Sequence, residues 1–133
     1  MILGLDISTG VVKKIGHWDT RNKNKYPNLF SKSDFIKSEL GILSQEYDID
    51  NVFIEPALNM FMMGKSSSHT ISTLTKFNGI VSWICYEKLG VMPEYIPAIS
   101  ARKKCGITIK RGEKAKEQVM CFLLDNESDF DVE

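Results

Sequence analysis

Two short apolar runs in this chain each finish in an acid. Ile2, Leu3, Gly4 and Leu5 lead into Asp6, and Val52, Phe53 and Ile54 lead into Glu55. Runs of this length bounded by turn residues predict buried strands. Residues 11–20 alternate weakly, with Trp18 near the end, and predict another strand. Residues 21–33 are polar and contain Pro27, so a loop is expected there. From Ser33, the expected N-cap, Ile36, Leu40, Leu43 and Tyr47 recur at helical spacing. A turn is expected over residues 48–51, before the strand that ends at Glu55. Residues 56–69 hold Gly64, three methionines and a serine run, and predict a loop. Ile71, Leu74, Phe77, Val81, Ile84, Cys85 and Leu89 then form one face of a long helix that Gly90 closes. A short strand over 94–96 lies between Pro93 and Pro97. Ser100 is the expected cap of a short helix ending at Gly106, and a last helix runs over 113–124 with Ala115, Val119, Phe122 and Leu123 inward.

Strands alternating with helices after an initial strand pair predict an α/β protein with a mixed sheet and helices on its faces. If the strands carrying Asp6 and Glu55 are neighbours, both carboxylates come to one edge of that sheet. Two carboxylates so placed supply the oxygen ligands that a hard divalent cation requires. They are also a starting point for metal-assisted attack on a phosphodiester.

The 133 residues predict one domain, and 43% hydrophobic residues supply enough apolar surface for a core. No run reaches the length of a membrane span, and the N-terminus lacks a signal-peptide pattern. Cys85, Cys105 and Cys121 are odd in number and widely spaced, which argues against a zinc site or a disulfide framework. A reducing, cytoplasmic setting follows. His17 and His69 lack ligand spacing and read as structural.

Seventeen basic residues balance seventeen acidic ones, and that neutrality taken alone argues against nucleic-acid binding. The distribution changes the picture. Over residues 101–118, Arg102, Lys103, Lys104, Lys110, Arg111, Lys114 and Lys116 stand against Glu113 and Glu117, a local charge of +5. Residues 125–133 carry five acids and no base. A basic stripe beside an acidic tail can track a phosphate backbone. Charge alone favours the plainer reading of two solvated faces.

The segments ILGLDISTG, NVFIEPALNMF, SSSHTISTLTKFNGIV, EYIPAISARKKCGI and RGEKAKEQV follow one another in the chain. In that order they resemble the RuvC family, and in particular the phage-type RuvC-like Holliday junction resolvases, over nearly the whole length. Each segment alone is weakly specific; the ordered set of five is more so. The resemblance implies a ribonuclease H-like mixed sheet with helices on both faces. It implies a homodimer that cleaves four-way or other branched DNA with Mg²⁺ or Mn²⁺, in the cytoplasm, that of the bacterial host if phage-encoded. By position, Asp6 and Glu55 become the catalytic, metal-binding acids. Phe61 and Lys65, in the loop after Glu55, become DNA contacts, with Phe61 at the junction centre. Arg102, Lys103, Lys110, Arg111, Lys114 and Lys116 become phosphate contacts. Read from the residues alone, Phe61 with Met60, Met62 and Met63 fits either a lid on the core or a wedge that unstacks bases.

Two departures from the family stand out. Its metal site is completed by acids on a C-terminal helix, whereas Asp125, Asp129, Asp131 and Glu133 lie in a tail without helical apolar register. Its first strand is followed by two more, whereas here residues 11–20 alone are available and look like the third. Both departures predict chain missing from the sequence as written, after Gly10 and beyond Glu133. Two rival readings remain. One is a non-catalytic branched-DNA-binding module on the same fold. The other is a fragment of an actin-like kinase, whose first strand also ends in a phosphate loop but whose class needs a second such loop and far more chain.

Overall fold

The computed structural model describes residues 2–8, 11–57 and 68–126. These form strands β1 (Ile2–Ser8) and β2 (Val12–Asp19), helix α1 (Leu29–Glu46), strand β3 (Phe53–Ile54), helix α2 (Ser68–Leu89), strand β4 (Glu94–Tyr95), and helices α3 (Ala98–Lys104) and α4 (Ala115–Asn126). The protein is therefore of mixed α/β character. Its chain divides into two compact units, one of Met1–Asp19 with Ile99–Glu133 and one of Thr20–Ala98.

The pairing of the strands differs from the expected single mixed sheet. Among the described residues there are two two-stranded sheets, β1 with β2 and β3 with β4. The apolar pattern marks where strands lie, but not which strand each will pair with, because pairing is a long-range choice. The β1–β2 pair is an antiparallel hairpin that runs from Ile2 opposite Asp19 to Ser8 opposite Val12, with a register shift at Ile7/Ser8. Residues 11–20, read from the sequence as a third strand, thus supply the strand directly beside the first. The Gly10–Val11 junction falls partly outside the described residues. Along β1, Leu3, Leu5 and Ile7 are half-buried while Gly4, Asp6 and Ser8 are exposed, the period of two expected of a strand with one covered face. Trp18 lies across from Leu3 on the covered face.

The second unit is built on two helices. Helix α1 begins four residues before the expected cap at Ser33. Asn28 is the N-cap: Ser31 N–H donates to Asn28 Oδ1 at 2.9 Å, and Asn28 N–H donates to Ser31 Oγ at 3.2 Å. This is a capping box with serine in place of the usual Glu or Gln. Ser33 lies inside the helix, and its hydroxyl donates back to Leu29 O at 2.6 Å. Ile36, Leu40 and Leu43 are buried on α1, and Ile71, Phe77, Val81, Ile84 and Cys85 on α2. Helices α1 and α2 pack together through these faces. Leu74 and Leu89, expected on the same stripe, are half-buried. Burial pushes the Cys85 thiol up to about 11, so it serves as an unreactive apolar side chain. At the rim of the seam Lys37 Nζ lies 3.3 Å from Glu87 Oε1 and 5.9 Å from the centre of the Trp83 ring.

Helix α2 ends as expected at Gly90, where φ is +68° and the N–H donates to Tyr86 O at 3.0 Å. Strands β3 and β4 are parallel, with Phe53 beside Glu94 and Ile54 beside Tyr95, so β3, α2 and β4 form a β-α-β crossover. In the first unit, α3 contains Ser100 in its first turn, and its cap is not Ser100. Its C-terminus is a Schellman motif, with Ile107 N–H donating to Arg102 O at 2.9 Å and Gly106 N–H to Lys103 O at 3.1 Å, Gly106 at φ +77°. Helix α4 starts two residues later than expected, and Ala115, Val119, Phe122 and Leu123 are half-buried on it. No helix among the described residues is long and apolar enough to cross a membrane.

Two substitutions check this account of the helical unit by chemical denaturation. Asn28→Ala removes the cap acceptor and should lower stability by about 1 kcal/mol. Leu40→Ala opens the seam between α1 and α2 and should cost about 2–5 kcal/mol. A loss from Asn28→Ala as large as that from Leu40→Ala would mean that the cap does more than satisfy a helix end.

Candidate functional site

Asp6 is not at the end of its strand. Strand β1 continues through Ser8, and Asp6 lies inside the ladder opposite Ile15. Directly opposite residues share a face of an antiparallel pair. Asp6 therefore stands with Gly4, Ser8, Ile15 and His17 on the exposed face of the hairpin, away from Leu3, Leu5 and Trp18. Asp is unfavourable within strands, so its place here has a cost in local propensity. Although the residue is exposed overall, partial desolvation of its carboxyl pushes the pKa above the ordinary carboxylate value, and no cation among the described residues offsets this.

Glu55 leaves β3 directly after Ile54 and is exposed. The backbone on either side of it is anchored. On one side, Glu94 N–H donates to Val52 O at 2.9 Å and Ile96 N–H to Ile54 O at 3.0 Å. On the other, Ala57 N–H donates to Asn78 Oδ1 of α2 at 2.9 Å. The Ser82 hydroxyl donates to Asn78 O at 2.7 Å, and the Tyr95 hydroxyl shares its one proton between Ser82 Oγ and Asn78 O, the latter at 3.1 Å. Asn78, Ser82 and Tyr95 do not stand out in the sequence. The one available signal is an asparagine and a serine four residues apart, each directly after a residue of the helix's apolar stripe.

The Ser/Thr-rich start of α2 has a local structural use. Thr73 Oγ1 donates to His69 O at 3.1 Å and Thr75 Oγ1 to Ile71 O at 2.8 Å, so these hydroxyls bond back to the helix itself. His69 is exposed in the first turn, and His17 is exposed opposite Gly4. Phe61 and Lys65, with Met60, Met62 and Met63, lie outside the described residues, as do Asp129, Asp131 and Glu133. Within each unit, no group of three or more His, Cys, Asp or Glu gathers among the described residues to hold a metal ion. Asp6 and Glu55 belong to different units. Their donor chemistry, two carboxylates, is the oxygen-only kind that suits Mg²⁺ or Mn²⁺.

The basic residues separate into two groups with different local energetics. Arg102, Lys103 and Lys104 occupy the last turn of α3, where cations are favoured by the partial negative charge of the helix end. That is sufficient reason for their presence. Lys110 and Arg111 are exposed on a turn in which Gly112 has φ +88° and Glu113 N–H donates to Lys110 O at 3.0 Å. Lys114 directly precedes α4 and Lys116 is in its first turn. Cations are disfavoured at a helix N-terminus. Glu117 offsets only part of this, since its contact with Lys114 is 3.8 Å long and highly exposed. An anion bound by this second group would remove the penalty.

No protein-family model, curated protein or solved structure matches the chain.

The raised pKa of Asp6 has a definite consequence for stability. The folded state holds the Asp6 proton more tightly than the unfolded state does. The favourable contribution is therefore complete below the unfolded value near 3.8 and is lost as pH rises through the raised folded value. At neutral pH the ionised carboxylate is a net cost to the folded state. Asp6→Asn should then melt at a higher temperature than the parent at pH 7, and the gap should close below about pH 4. Parallel thermal melts across that range test it, and an Asn variant that is less stable at pH 7 would show that the carboxylate has a partner.

Proposed function

We propose that this protein is a metal-dependent, structure-selective endonuclease of the RuvC-like type, acting on four-way or other branched DNA. The observation that carries the reading is Asp6, an acid held inside a paired strand, on the exposed face of a hairpin, with a carboxyl that is partly desolvated and unneutralised. Such a group gains from a bound cation. The hairpin at the start of the chain and the later β-α-β crossover, whose first strand leads into an anchored acid, are both elements that a ribonuclease H-like sheet contains, and they support the same reading. So does the order of the five sequence segments.

The reaction is hydrolysis of a phosphodiester by water. A divalent cation, when bound, supplies the Lewis acidity that activates the water and stabilises the leaving oxygen. Asp6 would hold the cation through its carboxylate oxygens. Glu55 provides a second acid on a restrained backbone, able to orient the attacking water. Lys110, Arg111, Lys114 and Lys116 hold the backbone phosphates, with Arg102 and Lys103 assisting, and the branch is recognised by shape more than by base sequence. A homodimer suits a junction with paired strands to cut. Trp83 and Tyr86 are 57% and 54% exposed on α2, and Trp83 lines a mostly apolar groove with Leu29, Phe30, Lys76, Gly79 and Ile80 that a second copy could cover.

The deciding experiment is cleavage of a synthetic four-way junction in Mg²⁺ or Mn²⁺ by the parent, Asp6→Asn and Glu55→Gln. Loss of cleavage by a factor of about 10² or more in both variants, with junction binding retained, is the expected result. Binding without cleavage by the parent would favour the non-catalytic DNA-binding module instead.

The basic residues make a separate prediction. Replacing Lys110, Arg111 and Lys114 together by Ala should weaken binding to every branched DNA about equally. For each phosphate that is no longer neutralised, the slope of log affinity against log salt should become shallower by about 0.9. An unchanged slope would return these side chains to the role of a solvated face.

A further inference from the structure

We propose that Asn78 is a positioning residue for Glu55, acting through the backbone that follows the acid; the proposal rests on the reading of Glu55 as a cation ligand. Glu55 is exposed, so packing of its own side chain does little to fix where its carboxylate points. What restrains it is the chain on each side. Ile54 is held in the parallel ladder beside Tyr95. Two residues after the acid, the Ala57 amide is held by Asn78 Oδ1 at 2.9 Å in a partly buried setting. Pro56 lies between them, and its ring fixes one of the few torsions left in this link. The acid is therefore suspended between a strand and a helix side chain.

Asn78 is braced in turn. Its backbone carbonyl accepts from Ser82 Oγ at 2.7 Å, and the Tyr95 hydroxyl shares its one proton between that carbonyl, at 3.1 Å, and Ser82 Oγ. Tyr95 is itself the ladder partner of Ile54. A single closed set of bonds thus ties the residue before Glu55, the residue two after it, and one turn of α2. Asparagine is a poor residue for a helix interior. Its presence at a half-buried position of α2 is explained by the acceptor it offers to Ala57. A ligand carboxylate must be held to within a fraction of an ångström to favour one coordination geometry, which is what supporting hydrogen bonds of this kind provide.

The full chain is used for the test, with Mn²⁺ as probe. Asn78→Ala removes the acceptor, and Asn78→Asp keeps an oxygen in the same place. In Asn78→Ala the Ala57 amide should exchange with solvent about fivefold to tenfold faster, the equivalent of one missing hydrogen bond. Mn²⁺ affinity by titration calorimetry should fall about tenfold. Asn78→Asp should restore protection of the Ala57 amide, a rescue that a merely space-filling role would not give. Should Asn78→Ala fail to fold, Tyr95→Phe removes one brace and should shift both readouts about twofold to threefold in the same direction. Unchanged Ala57 exchange in these variants overturns the proposal. So does unchanged Mn²⁺ affinity while Glu55→Gln weakens it, an outcome that leaves the role of Glu55 standing. Mn²⁺ affinity unchanged by Glu55→Gln removes the role of Glu55, and the positioning role with it.

Discussion

The apolar seam between α1 and α2 is the constraint on which the described structure depends most. Every buried apolar side chain among the described residues lies on it: Ile36, Leu40 and Leu43 from one helix, Ile71, Phe77, Val81, Ile84 and Cys85 from the other. Each such side chain removed from water contributes roughly 1.5–3 kcal/mol. The ion pair of Lys37 with Glu87 at the rim is worth much less. The seam fixes the rotation of α2 about its axis. That rotation in turn decides which residues of α2 can reach β3 and β4. Asn78 and Ser82 meet the chain after Glu55 and the Tyr95 hydroxyl because Phe77 and Val81, one residue to the N-terminal side of each, are committed to the core.

The unit that carries Asp6 and the basic segment is stabilised differently. None of its described side chains is fully buried. Its order comes from the β1–β2 ladder, from the Schellman closure of α3 at Gly106, and from the turn at Gly112 that precedes α4. Each of these supplies a modest, local free energy. They leave charged side chains at the surface, including cations at a helix start where the local field opposes them. A carboxylate whose charge is unneutralised and a lysine cluster at an unfavourable end are both features that ligand binding would relieve, and they recur in the one unit that lacks a dense core.

Much of the helical framework is legible in the chain. The spacing of Ile36, Leu40 and Leu43 and of Phe77, Val81 and Ile84 identifies both packed faces, because burial of one helical stripe leaves a period that no other structure imposes. Gly90 and Gly106 mark helix ends, because each adopts a positive φ that L side chains avoid. The start of α1 is harder to see, because serine at the third helical position can complete a capping box and does not resemble the usual Glu or Gln. Of the candidate site, the sequence locates both acids at strands. It does not identify the bonds that restrain Glu55, since an asparagine beside an apolar helix stripe reveals nothing of its partner twenty-one residues away.

The information written along the chain is therefore local: which segments are strands or helices, which face of each is apolar, and which acids and cations lie at their edges. These follow from side-chain period and backbone preference, which act over a few residues. Long-range packing alone makes residues 11–20 pair directly with β1, sets the described strands in two small sheets, and brings Asn78 to the chain beyond Glu55. Those outcomes depend on contacts between segments far apart in the chain. Their choice rests on the balance of packing and hydrogen bonding over whole elements, for which no short stretch of residues carries a distinct pattern.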